Sequence, residues 1–77
     1  VMDIPEADAR LDRALMADAM ARLSPEHRAV VHRAYYRGLP IAQIAGELGI
    51  AEGTAKSRLH YALRTLRQTL REMGVAQ

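Results

Sequence analysis

The chain has no cysteine, so disulfides and thiolate metal sites are excluded, and the composition fits a reducing, cytoplasmic setting. No apolar run approaches the roughly 20 residues that cross a bilayer, and no signal-peptide pattern is present. Membrane contact by this domain itself is therefore not expected. Strand-like alternation, internal repeats and low-complexity stretches are also missing. No Ser/His/Asp grouping and no phosphate-cradling glycine loop appears, so an enzyme is the least supported class and no cofactor is expected. The three histidines are the remaining metal donors. His27 and His32 are five apart, wrong for ligands on adjacent turns of one helix. His60 lies elsewhere, and no acids converge on any of them, so no metal site is expected. Gly46, Gly49 and Gly53 are spaced for turns and helix packing, not for a nucleotide.

Acidic residues are locally absent too. The run from Gly53 to Arg71 carries six bases, Lys56, Arg58, His60, Arg64, Arg67 and Arg71, and no Asp or Glu. The formal net charge is only +2, but it is unevenly spread. Residues 1–26 hold six acids and three arginines, whereas residues 27–77 hold three acids and eight Lys or Arg, a balance of +5. A basic second part fits a polyanionic partner, and the acidic first part should face something else.

What is present reads as all-α, four helices in one small domain; 77 residues are too few for two. Residues 1–5 are expected as a tail or linker, and 6–77 as the domain. The chain opens on Val1 rather than an initiator Met, which suggests a fragment of a longer chain. The first helix is expected over about 6–22, with Leu11, Leu15, Ala19 and Leu23 stepping by four along one stripe. Met16 and Met20 widen that stripe or lie beside it. Ser24-Pro25-Glu26 is a helix start: a hydroxyl cap, proline in the first position, an acid at the positive end of the dipole. The second helix is expected over about 25–36, with Val30, Val31, Ala34 and Tyr35 in the core and Gly38 as its stop.

The third and fourth helices, about 40–48 and 52–73, form the organising element. Ile41, Ile44, Ala45 and Leu48 give a short amphipathic helix. Gly49 follows where a helix end needs positive φ, and Ile50 plugs the turn. Ala55, Leu59, Leu63 and Leu66 give the next stripe. A small residue at 45, a turn glycine four later and an apolar residue six after that is the spacing of a helix-turn-helix, whose second helix enters the major groove with its N-terminal half. Ala51 is a weak cap for that helix. Opposite its apolar stripe lie Lys56, Ser57, His60, Tyr61 and Arg64, types that hydrogen-bond base edges or phosphates. Gly53 and Thr54 sit where free N–H groups favour a phosphate. Arg58 flanks the face, and Arg67 and Arg71 extend its basic edge.

The segments Leu23-Ser24-Pro25-Glu26-His27-Arg28-Ala29-Val30-Val31, Tyr35-Tyr36-Arg37-Gly38-Leu39, Ile44-Ala45-Gly46-Glu47-Leu48-Gly49 and Glu52-Gly53-Thr54-Ala55-Lys56-Ser57-Arg58-Leu59-His60 occur in that order. Together they resemble region 4 of bacterial extracytoplasmic-function sigma factors, a winged-helix-like helix-turn-helix domain. The resemblance covers about residues 23–67. It implies a transcription-initiation domain that recognises the promoter −35 element, with Lys56, Ser57 and His60 toward bases and Thr54, Arg58 and Arg64 at the backbone or flank. It also implies docking on the β-subunit flap of core RNA polymerase, mostly through the first helices, and an anti-sigma factor as regulator. Three positions depart from the family pattern. Ala34 stands where arginine usually precedes Tyr-Tyr, with Arg33 one place early, a rotation of about 100° on a helix. Ala55 replaces a branched aliphatic residue, so looser packing is expected beneath the recognition helix. Tyr61 replaces a frequent arginine, which bears on sequence preference. The alternative is the effector domain of LuxR-type response regulators, which share several of these motifs and bind DNA without serving as a polymerase subunit.

Overall fold

The computed structural model describes the backbone of residues 6–74 and the side chains of residues 13–74. The expected tail over 1–5 and the placement of Leu11 lie outside the described residues. Within them there are four helices and no strand: α1 (Glu6–Ala21), α2 (Pro25–Val31), α3 (Ile41–Leu48) and α4 (Glu52–Glu72).

Local chemistry sets each boundary. Ser24 takes extended backbone angles, and its hydroxyl accepts the His27 N–H at 3.2 Å, with Pro25 opening α2 as expected. At the end of α3, Gly49 adopts φ 67°. Its N–H and that of Ile50 donate back to Gly46 O at 3.3 Å and Ala45 O at 3.0 Å. This paired closure is available to a residue with no Cβ penalty in the left-handed region. Gly38 and Gly74 take φ 67° and 86° after the second and fourth helices.

The second helix departs from expectation. α2 is α-helical only to Val31 and continues as a π-helix over His32–Tyr36, closed by the Arg37 N–H on His32 O at 3.1 Å. The wider ring turns each following side chain less than an α-helix would. Tyr35, expected in the core one α-turn beyond Val31, is rotated out and stands 61% exposed. Ala34 stays half-buried against the core.

The core is small and built from short side chains. Ala19, Met20 and Leu23 come from α1 and the loop after it, Val30 and Val31 from α2, Ile44 and Ala45 from α3, and Ala55, Ala62 and Leu66 from α4. α4 is the central post, in contact with each of the other three helices. Leu15, Leu59 and Leu63 are only half-buried, and Ala62, not on the expected stripe, is fully enclosed. Small residues at 45, 55 and 62 let α2 and α3 lie close to α4. Ala55 is fully enclosed, with no exposed surface.

Candidate nucleic-acid interface

The turn between α3 and α4 is three residues long and fixed at both ends. Gly49 and Ile50 are tied back to α3, and the Ala51 carbonyl accepts the Ala55 N–H at 2.9 Å. Burial of Ala45 and Ala55 holds the two helices together at the turn. α4 is thus presented as a rigid rod of 21 residues, about 31 Å long at 1.5 Å per residue. Ala51 makes no side-chain cap, so the first N–H groups of α4 face outward unshielded by the chain.

The predicted site residues fall on the exposed side of this rod. Thr54, Lys56, Ser57, His60, Tyr61 and Arg64 are all exposed, and Arg58 is half-buried at the flank. The sequence spacing brought these side chains to one surface, as expected from a helix. The Tyr61 ring, 55% exposed, meets His60 edge-on with centroids 5.3 Å apart. Thr65 turns inward to its own helix, its hydroxyl donating to Tyr61 O at 3.0 Å.

Cations are treated differently on and off α4. Off it, Arg22 pairs with Asp18 at 3.3 Å, and Arg28 donates to Leu23 O at 3.0 Å. On α4, Lys56, Arg58, Arg64, Arg67 and Arg71 form no ion pair with another described residue. Five of the eight Lys and Arg residues in the second part of the sequence therefore lie on α4, available to a polyanion.

Behind that face lies a clamp that sequence reasoning missed. Glu47 of α3 accepts Arg37 bidentately, at 2.7 and 3.1 Å, and also Arg33 Nε at 2.9 Å. Arg33 donates in addition to Ala29 O at 3.1 Å. The two guanidiniums hold the Glu47 carboxyl below the ordinary carboxylate range, the Arg37 hydrogen bonds being the larger cause. The displaced arginine at 33 is therefore committed to fixing α3 against the π-helical segment. The partners of Glu47 are 10 and 14 residues away, and only the fold unites them.

The glycine reading also changes. A Cβ at Gly46 or Gly53 would meet nothing within 4 Å, so neither is demanded by close packing, and of these three glycines only Gly49 is required by its backbone angles.

A short helix, a fixed glycine turn and a long helix with an unpaired basic face define a helix-turn-helix DNA-binding domain. The chain belongs to the family described as Sigma-70, region 4, whose sequence model matches residues 19–68. Of the two families that the motifs resemble, this is the sigma factor family rather than the LuxR-type one. The chain is 67% identical over 72 residues to the ECF RNA polymerase sigma factor SigL of Mycobacterium tuberculosis strain H37Rv, covering 94% of this chain and 41% of the relative. It is 44% identical over 59 residues to the RNA polymerase sigma-E factor of Streptomyces antibioticus, covering 77% of this chain and 33% of that one. The chain thus spans about two fifths or less of the curated relatives it matches. Among solved structures, a chain of the RsbN–BldN complex is similar with a TM-score of 0.72 at 33% identity, covering 78% of this chain and 44% of that chain.

Proposed function

We propose that this chain is the promoter-binding domain of an extracytoplasmic-function sigma factor, recognising the −35 element while the rest of a longer protein supplies further contacts. The observation that carries the reading is the acid-free, unpaired face of α4 held out by a rigid turn. Lys56, Ser57 and His60 reach base edges. Tyr61, at the outer edge of that group, tunes the preference. Thr54, Arg58 and Arg64 hold the phosphates on either side, with the outward N–H groups of the first turn beside Thr54.

A second surface is the basis for the proposed protein contacts. Leu15, Met16 and Ala17 of α1, Tyr35 and Tyr36, and Leu70 of α4 line an open apolar cleft with Arg13 at its edge. Exposed aromatic surface of this kind suits a protein partner. It would seat the flap of the polymerase β subunit, and an anti-sigma factor would cover it when the protein is held inactive. The similarity to a chain from a two-protein complex favours a domain that is bound by regulators. The setting is the cytoplasm, where the promoter and polymerase are.

The test uses duplexes selected from a randomised pool by the chain itself. Lys56→Ala should lose about tenfold or more in affinity for the selected duplex and blunt its preference over a scrambled one. Arg67→Ala should weaken binding less and equally across sequences. If both variants bind and discriminate as the unsubstituted chain does, α4 is not the reading element.

A further inference from the structure

Lys56 is the only lysine in the chain; the other ten of its eleven Lys and Arg residues are arginines. It stands exposed on α4, without an ion-pair partner among the described residues, beside Ser57 and His60. Guanidinium groups do not react with mild acyl donors at neutral pH, because they stay protonated and delocalised. The base-reading face therefore carries one amine able to be acylated, and that amine is central to it. The surroundings of Lys56 also favour a particular donor. His60 and Arg64 lie one and about two turns further along the same exposed side of α4 with no acid between them, so a small anion is drawn to the same surface that draws the DNA backbone.

We propose that Lys56 is an acylation site whose donor is an acyl phosphate, and that acylation there switches off DNA recognition. This inference rests on the assignment of α4 as the reading helix. The lone pair of the deprotonated Lys56 Nζ attacks the acyl carbon of the donor. The new C–N bond forms as the C–O bond to phosphate breaks, inorganic phosphate leaves with the bonding pair, and the amine's surplus protons pass to phosphate and water. No oxidant or reductant is involved. The amide product has lost its charge and two of its three donors, so its interaction with a base edge or phosphate is lost. Bound DNA covers the same amine, so the promoter complex is protected and the free domain is the form that is modified.

The experiment incubates the chain with acetyl phosphate, locates acetyl groups by peptide mass spectrometry, and measures affinity for the selected duplex before and after. Nα-acetyl-lysine amide in the same solution is the reference amine. The inference expects Lys56 to acylate several-fold faster than the reference, to be protected by the duplex, and to lose about tenfold or more in affinity once acylated. The affinity of the Lys56→Arg chain, whatever its starting value, should not change on the same treatment. Acylation no faster than the reference, or an acetylated chain that binds as before, overturns the proposal. Should Lys56→Ala also bind unchanged, the assignment of α4 fails with it. Should Lys56→Ala weaken binding while Lys56 proves unreactive, only the acylation switch fails.

Discussion

At the scale of the residue, Gly49 and Gly46 separate backbone need from habit. Both have open space where a Cβ would stand, but only Gly49 has positive φ. Gly49→Ala should destabilise the domain by about 1 kcal/mol, the cost of a left-handed L-residue. Gly46→Ala, in the middle of α3, should stabilise it by about 0.5–1 kcal/mol. Chemical unfolding of the two variants checks both signs; equal effects would mean that the turn at 49 is not held as described. Glu47 is the other decisive residue. Its carboxyl is held low in the folded chain by Arg37 and Arg33, so the folded state binds a proton less readily than the unfolded one. That contribution is present above the unfolded value and is lost as pH falls through the folded one. Glu47→Gln should lower the melting temperature at neutral pH and flatten the acid limb of the stability curve, an effect followed by thermal unfolding across pH.

At the scale of the element, α4 joins a weak start to a long body. Ala51 has cap-like backbone angles, φ −69° and ψ 151°, but no side-chain acceptor. Ala51→Ser and Ala51→Asp should each stabilise the fold by about 1 kcal/mol. The aspartate should at the same time weaken duplex binding, because it puts a negative charge where phosphate is expected. Unfolding and binding curves on the same two variants test the pair of effects. The length of α4 matters as well. Arg71 lies 15 residues beyond Lys56, about 22 Å along the axis, whereas the major groove is about 12 Å wide. Arg64→Ala should reduce the slope of log affinity against log salt by about one, and Arg71→Ala should leave it nearly unchanged.

Element boundaries were legible in the sequence because their causes are local. The Ser24-Pro25 start, the glycine stops at 38 and 49, and the apolar stripe of α3 are each settled within a few residues. The face of α4 was legible for the same reason, since helical spacing alone groups Lys56, His60 and Arg64. The π-helical stretch was not. A strong helical pattern through 25–36 does not announce a change of hydrogen-bond register, and Tyr35 was misplaced with it. Ala62 was overlooked because alanine fits exposed and buried positions equally. The Arg33–Glu47–Arg37 clamp was hidden because it joins elements that only the tertiary fold brings together.

At the scale of the whole molecule, the domain has two unlike surfaces on one small core. The largest fully buried side chains are Ile44, Val30 and Val31, with alanines filling much of the remainder. Such a core leaves little stability to spare. Leu66, 4% exposed, is the large side chain that α4 contributes to the buried core. Leu66→Ala should cost about 2–5 kcal/mol, comparable to the full stability of many domains this size, and should leave the chain largely unfolded by circular dichroism. A near-native melting curve for that variant would contradict the packing described. The apolar cleft around Tyr35 and Tyr36 takes only Leu70 from α4 and shares no residue with the proposed DNA contacts over 54–64. Two surfaces with no shared residue fit the proposed role of binding promoter and polymerase at once.

The most direct test of the DNA-reading assignment is a titration of the isotopically labelled chain with its selected duplex, following each backbone amide by NMR. Shifts concentrated over residues 52–64, with the Tyr35–Tyr36 surface unmoved, are the predicted result. Shifts centred on α1 and α2 with residues 52–64 silent would contradict it.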